Sequence, residues 1–335
     1  MSFEKEIIER IFSVGKKNAF TEVALEVFDF QYTRNAVYRQ FCTLLNRTPG
    51  HVREMQDIPF LPVELFKSKR ITSFDGKEEM VFTSSTTTGS TPSSHYIKSL
   101  AVYEESFMRS FRIFYGEPSE YCILSLLPGY LERTGSSLVY MAKRLMEESG
   151  HPRGGFYLDK LHDLAKVLDE LVAKGERVML LGVSFALLEL AEKFPMPLPG
   201  VVIVETGGMK GRRDEITRKE LHEVLCGAFG QEYIHSEYGM TELLSQAYSK
   251  GNGRFVCPPW MRVLIRDGND PLSYMPKGRS GGVNIIDLAN LYSCSFLATQ
   301  DLGSMHGDGM FEISGRFDHA DIRGCNLMFS DELGH

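Results

Sequence analysis

The residues able to do chemistry gather in short, glycine-punctuated stretches. The densest is Thr83-Ser84-Ser85-Thr86-Thr87-Thr88-Gly89-Ser90-Thr91-Pro92-Ser93-Ser94-His95. Hydroxyls and exposed backbone N–H groups in such a loop can surround an anion without a dedicated positive charge; a flexible Ser/Thr-rich loop is the plainer alternative. No lysine follows the glycine, so this is not a P-loop. A second stretch, Tyr238-Gly239-Met240-Thr241-Glu242, reads as a glycine turn that leaves a strand and opens a helix. It would set a hydroxyl and a carboxylate where open α/β sheets bind ligands. Alternatively, Thr241 caps that helix and Glu242 complements its dipole. His235, just upstream, either lines a pocket or is a hydrogen-bonded strand-end residue. Leu127-Pro128-Gly129-Tyr130 either borders the site or is a simple turn.

Elements of recognisable periodicity must position these groups. Residues 3–47 space their apolar positions by three and four, which predicts helices. Pro59 and Pro62 then impose an extended connector. Strands are expected at 80–83, 121–126, 177–181, 201–205 and 232–236, alternating with helices at 97–114, 135–148, 158–173, 185–193 and 214–229. Such alternation implies an α/β fold with mostly parallel strands flanked by helices. Beyond about residue 253 the expected strands (261–265, 282–287, 295–299, 310–314) indicate an antiparallel or barrel-like, β-rich part. The expected organisation is a helical opening segment over 1–78, an α/β core over 79–252 and a β-rich subdomain over 253–335.

Composition narrows the function. The chain has 335 residues with 37 Lys+Arg against 44 Asp+Glu, a net charge of −7 and no basic tail, which disfavours a nucleic-acid partner. Six scattered cysteines form no Cys-x-x-Cys pair, so neither a zinc cluster nor a disulfide framework is indicated. The N-terminus lacks the order of a signal peptide, and the most apolar stretch, 178–190, is too short to span a bilayer. A cytoplasmic location is expected.

Taken in order, the Ser/Thr/Gly loop, Glu205-Thr206-Gly207-Gly208, the Tyr238 pentapeptide, Gln300-Asp301-Leu302-Gly303 and Gly315-Arg316-Phe317-Asp318 resemble the adenylate-forming (ANL) superfamily of acyl-CoA synthetases and related ligases. Leu127-Pro128-Gly129-Tyr130, Glu205 to Arg212, Ser236 to Glu242 and Ile322-Arg323-Gly324-Cys325-Asn326-Leu327 look most like its LuxE-type acyl-protein synthetases. The resemblance implies an ANL-type N-terminal-domain fold; the mobile, lysine-bearing C-terminal domain of coenzyme-A-using relatives is expected to be absent. It also implies ATP-dependent activation of a carboxylic acid, a long-chain fatty acid by type, as its acyl-adenylate. The acyl group would pass to an enzyme cysteine and then to an acyl-CoA-reductase-type or carrier protein partner.

By the same resemblance, Ser84, Ser85, Thr86, Thr87, Thr88, Gly89 and Ser90 hold the triphosphate. Gly207 and Gly208 border the adenine, and Tyr238, after which Gly239 turns the chain, stacks on it. Thr241 and Glu242 engage phosphate and Mg2+, with Glu242 the metal ligand, while Asp301 takes the ribose hydroxyls and Arg316 lies near ribose or phosphate. Cys325 is the implied acyl acceptor. If its segment is extended, Arg323 shares its face and favours the thiolate; His319 is a possible base. The superfamily commonly has glycine where Thr86 stands and a lysine after the loop proline. Without the lysine-bearing domain, adenylation would need another cation; Lys210, Arg212, Arg213 and Arg323 are the candidates. The charge run 210–219, however, also reads as a solvated helix start. Two rival functions are an adenylate-forming enzyme that uses an external thiol and a non-catalytic nucleotide-binding or interaction subunit.

Overall fold

The computed structural model describes residues 3–15, 17–85, 91–127, 135–207 and 216–317. Apolar spacing at the start of the chain builds three helices, α1 (Phe3–Phe12), α2 (Lys17–Arg34) and α3 (Ala36–Leu44). The Asn35 side chain caps α3 by accepting from Tyr38 N at 3.0 Å. The proline connector carries β1 (Leu61–Pro62) and a 3-10 turn over Val63–Lys67.

The hydroxyl-rich stretch lies between the strands of a hairpin, β2 (Met80–Thr83) and β3 (Ser94–Ile97). Here the sequence expectation needs correction: Ile97 belongs to β3, not to the helix that follows. Burial alternates along Ser94–Ile97, the two-residue period of a strand, and α4 begins only at Leu100 (Leu100–Tyr115).

The central sheet combines β4 (Cys122–Leu126), β5 (Gly155–Phe156), β6 (Val178–Val183), β7 (Val202–Thr206), β8 (His235–Tyr238) and β9 (Ala247–Ser249), in the spatial order β5-β4-β6-β7-β8-β9. All pairings are parallel except β8 with β9. Every residue of β4 and β6 is buried, the pattern of parallel strands covered on both faces. The crossovers contain α5 (Ser137–Ser149), α6 (Leu161–Ala173), α7 (Ser184–Lys193) and α8 (Arg218–Phe229). Thr217 and Glu220 form a capping box that starts α8, and Gly230 closes it in the left-handed conformation.

A second sheet holds β10 (Met261–Arg266), β11 (Ser280–Asp287), β12 (Phe296–Met305) and β13 (Phe311–Arg316), paired antiparallel in sequence order, with β1 parallel to β12. The α/β class and the antiparallel C-terminal strands therefore agree with the sequence reading. Buried polar side chains tie the first helices to this sheet. Gln31 Nε2 donates to the carbonyls of Asn290 and Leu291 at 3.0 and 2.9 Å, and Asn35 Nδ2 to that of Ser293 at 3.0 Å. One apolar core runs from Ile7 and Ile11 through the parallel strands to Phe296 and Leu297.

The expected helix after Tyr238 does not form. Leu244 N and Ser245 N, amides such a helix would use, donate instead to Asp287 Oδ2 at 2.8 and 2.9 Å, and Ser245 Oγ donates to Oδ1 at 2.5 Å. A buried carboxylate from β11 thus outcompetes the intrahelical partners, and the chain turns back into β9. The helix-cap alternative for Thr241 falls with it. Among the described residues, no helix is long and apolar enough to cross a membrane.

Candidate functional site

Parallel pairing of β7 with β8, in register Thr206↔Glu237, brings their carboxyl ends side by side. Gly207 follows β7 with φ 67°, a left-handed conformation that favours glycine, and its carbonyl accepts from Ser184 Oγ at the start of α7. Gly239 follows β8, where a Cβ would lie 2.4 Å from Glu237 Oε1, so only glycine lets the chain turn there undisturbed. Glu237 is itself buried and accepts from Thr206 Oγ1.

The second sheet delivers two more groups to this edge. Antiparallel register sets Asp301 of β12 directly opposite Arg316 of β13, although 15 positions separate them in sequence. Arg316 Nε donates to Asp301 Oδ1 at 3.0 Å and Tyr238 OH donates to Oδ2 at 2.7 Å. Tyr238 is 8% exposed and Asp301 6%, whereas the Arg316 side chain is 76% exposed. The Tyr238 ring packs on Phe255 and Phe311, at centroid distances of 5.8 and 5.7 Å. Burial, then the Asp301 charge, pushes the Tyr238 hydroxyl well above its ordinary pKa, so it acts as a donor.

The Thr241–Glu242 turn is held from below. His95 Nδ1 lies 2.8 Å from Thr241 O, and His95 Nε2 lies 3.0 Å from Asn290 Oδ1. Asn290 Nδ2 donates to Glu242 O at 2.7 Å and to Cys294 O at 2.9 Å, which fixes the orientation of the amide. Both ring nitrogens therefore face oxygens and only a doubly protonated ring would satisfy both, yet burial opposes that charge and pushes the His95 pKa down to about 4. The Glu242 carboxyl is buried. Burial raises its pKa, while Ser93, Lys67 and Arg316 act in the opposite sense. Arg316 bears electrostatically on both Glu242 and Tyr238, so the two clusters converge.

Of the Ser/Thr loop, Ser84 closes the base: its Oγ accepts from Ser93 N at 2.9 Å and its N donates to Ser93 O at 3.1 Å. Ser85 is exposed. Thr86, Thr87, Thr88, Gly89, Ser90, Gly208, His319, Arg323 and Cys325 lie outside the described residues, as do Tyr130 and the candidate cations Lys210, Arg212 and Arg213. Tyr238, Gly239, Thr241, Glu242, Asp301 and Arg316 are brought together; Gly207 borders them at the end of β7. His235 is not part of this edge. It opens β8 at the opposite end of the strand, stacks on Tyr115 and has its Nδ1 3.4 Å from the Tyr115 hydroxyl.

Sequence reasoning did not single out His95, Asn290, Asp287 or Lys67. Only His95 carried a signal, as the histidine that ends the hydroxyl run. It also missed the support under Gly207. Glu205 Oε1 accepts from Arg218 Nε at 3.1 Å and lies 3.6 Å from His222 Nε2, while Arg218 Nη1 reaches Ile313 O of β13 at 3.2 Å. Burial raises the pKa of Glu205, but His222 and Arg218 outweigh it and hold the carboxyl below its ordinary range. A cavity of about 550 Å³ opens beside this network, lined in part by Arg218, His222, Cys226 and Tyr233, and none of the converging residues lines it.

No group of three or more His, Cys, Asp or Glu side chains able to hold a metal exists among the described residues. Asp301 is engaged by Tyr238 and Arg316, which leaves Glu242 as the carboxylate able to take a cation among the described residues of this edge. One carboxylate completed by phosphate oxygens is a set Mg2+ accepts, so the residues present fit that ion.

Residues 11–111 match the family model described as "Acyl-protein synthetase, LuxE". A long-chain-fatty-acid–luciferin-component ligase from Vibrio harveyi is 23% identical over 342 residues, covering 94% of this chain and 88% of that protein. Among solved structures, a 2-hydroxyisobutyryl-CoA ligase in complex with 2-HIB-AMP and CoA superposes with TM-score 0.68 at 15% identity, covering 94% of this chain and 68% of that one. ATP-bound MatB from Rhodopseudomonas palustris gives TM-score 0.53 at 15% identity, over 72% of this chain; the chain spans about half of MatB, 49%. The chain thus resembles the LuxE acyl-protein synthetases over residues 11–111 and the Vibrio harveyi ligase along nearly its whole length, and has the fold of the adenylate-forming ligases.

Proposed function

We propose that the protein is an ATP-dependent ligase that activates a fatty acid as its acyl-adenylate and passes the acyl group to Cys325. The carrying observation is the convergence of Tyr238, Asp301, Arg316 and Glu242, from two sheets, at the carboxyl edge of β7 and β8. Ligands bind at such an edge in open α/β sheets.

Asp301 accepts the ribose hydroxyls and Arg316, largely exposed, turns toward ribose or phosphate. Tyr238 walls the base, and the hydroxyls and amides from Ser84 to Ser90 surround the phosphates. Mg2+, when bound at Glu242, neutralises phosphate charge. A carboxylate oxygen attacks the α-phosphorus, the bond to the bridging oxygen breaks and pyrophosphate leaves. Oriented donors and excluded water lower the barrier to this meeting of two anions. The Cys325 thiol then attacks the acyl carbon, the acyl–phosphate bond breaks and AMP leaves. His319 accepts the thiol proton, and Arg323 favours the thiolate. The thioester goes to an acyl-reductase or carrier partner.

The five described cysteines are poor rivals for the acceptor role. Burial pushes the thiols of Cys42, Cys122 and Cys257 up to about 12 and raises those of Cys226 and Cys294. Intact-protein mass spectrometry after incubation with ATP, Mg2+ and a panel of fatty acids tests the proposal. The expected result is an acyl-sized, hydroxylamine-labile mass increase that Cys325→Ser lacks. AMP release without an adduct would assign the acceptor to an external thiol, and neither product would leave a non-catalytic subunit.

A further inference from the structure

The loop over 84–95 contains no lysine, so any phosphate chain there needs a cation from elsewhere. Arg316, which turns toward ribose or phosphate, shares its charge with Asp301 and leaves room for a second cation. Lys67 ends the 3-10 turn that follows β1. Because β1 runs parallel to β12, with Leu61 opposite Leu297, the chain leaving Pro62 sets out in the direction in which β12 carries Asp301. Phe66 then plugs into the core with its ring edge-on to His95 at 5.7 Å, and His95 meets Thr241 O at 2.8 Å. Lys67 follows Phe66 directly, so the chain carries it past the side of the fold on which His95 meets the Thr241–Glu242 turn.

Two further observations suit a ligand between Lys67 and that turn. Lys67 is exposed and, among the described residues, makes no ion pair, whereas nearby Arg70 and Lys98 pair with Glu78 at 2.7 Å and Glu4 at 2.8 Å. Ser93 faces the Glu242 carboxyl, yet its hydroxyl, although buried, forms no well-aligned hydrogen bond. A buried polar atom in that condition commonly awaits a partner.

We propose that Lys67 is the cation that meets the phosphate chain of the nucleotide beside the Glu242 turn. This rests on the nucleotide-binding reading above. Lys67 is a cation that the sequence reading did not weigh beside Lys210, Arg212, Arg213 and Arg323.

Isothermal titration of the full chain with ATP, AMP and adenosine, for wild type, Lys67→Met and Lys67→Arg, tests it at two salt concentrations. Lys67→Met should weaken ATP binding about fivefold, near the upper end for one exposed ion pair. Adenosine affinity and thermal midpoint should stay unchanged, and Lys67→Arg should bind ATP within about twofold of wild type. The salt dependence of ATP affinity should be shallower in Lys67→Met. If Lys67→Met binds ATP as wild type does, or loses adenosine affinity in parallel, Lys67 does not contact phosphate, while the nucleotide reading stands. Failure of wild type itself to bind ATP overturns both.

Discussion

Replacing Tyr238 with Phe removes one oxygen from a pair whose acceptor, Asp301, is 6% exposed. The lost bond is 2.7 Å long and goes to a carboxylate. Hydrogen bonds to buried charged groups contribute roughly 1.5–3 kcal/mol, and the carboxylate keeps Arg316, so a loss of about 2 kcal/mol is expected. Asp301→Asn should cost a similar ~2 kcal/mol, because an amide accepts more weakly from Tyr238 and repels the guanidinium where its NH2 faces Arg316. The two changes share one bond, so the double mutant should fall short of additivity by about 1.5 kcal/mol. Arg316→Met is the internal control. Its side chain is 76% exposed and its pair with Asp301 should be worth at most about 0.5 kcal/mol. Urea denaturation of the four single and double variants measures all of these terms. A cost below about 0.5 kcal/mol for Tyr238→Phe, or an Arg316→Met cost equal to it, would refute the ranking of these bonds by burial.

Two further outcomes are accessible to stability measurements. Burial raises the Asp287 pKa from 3.8 to about 6, against the opposing bonds from Ser245 and Leu244. A raised folded-state pKa means that its stabilising contribution is complete below pH ~4 and is lost as pH rises through about 6, a change on the order of 3 kcal/mol. Asp287→Asn should remove that slope at some cost in stability, since its single carbonyl oxygen can keep the amides of Leu244 and Ser245 but its NH2 replaces the oxygen that accepts from Ser245 Oγ. His95, with its pKa lowered to about 4, contributes a slope of opposite sign between there and its usual 6.5, so the variant-minus-wild-type difference is the quantity to follow. In Gly239→Ala the new Cβ would fall 2.4 Å from Glu237 Oε1 and must displace a buried carboxylate; calorimetry should register a loss of about 1–3 kcal/mol.

Much of the architecture is legible in local pattern. The largely apolar runs of β4 and β6 and the three- and four-residue spacing of α1 to α3 identify element type, because periodicity reports which face must leave water. The alternation of strands and helices then implies the parallel sheet, and two of the glycine-bearing motifs fall at the carboxyl ends of its strands β7 and β8. Gly239 is readable as a turn for the same reason: it is required locally, by a neighbour two residues away.

What local pattern could not supply came from partners distant in the chain. Asp287 takes the amides of Leu244 and Ser245 and cancels a helix that Thr241 and Glu242 would otherwise begin, and no window around Thr241 contains that carboxylate. His95 and Asn290 fix the same turn from positions 146 residues before Thr241 and 48 after Glu242. Sequence by itself determined most of the elements and the residue types gathered at the carboxyl edge of β7 and β8. Tertiary structure alone decided that Tyr238 donates to Asp301 and that strand register pairs Asp301 with Arg316. The physical reason is that hydrogen bonds and charges act across a few ångströms of space, whatever the separation along the chain.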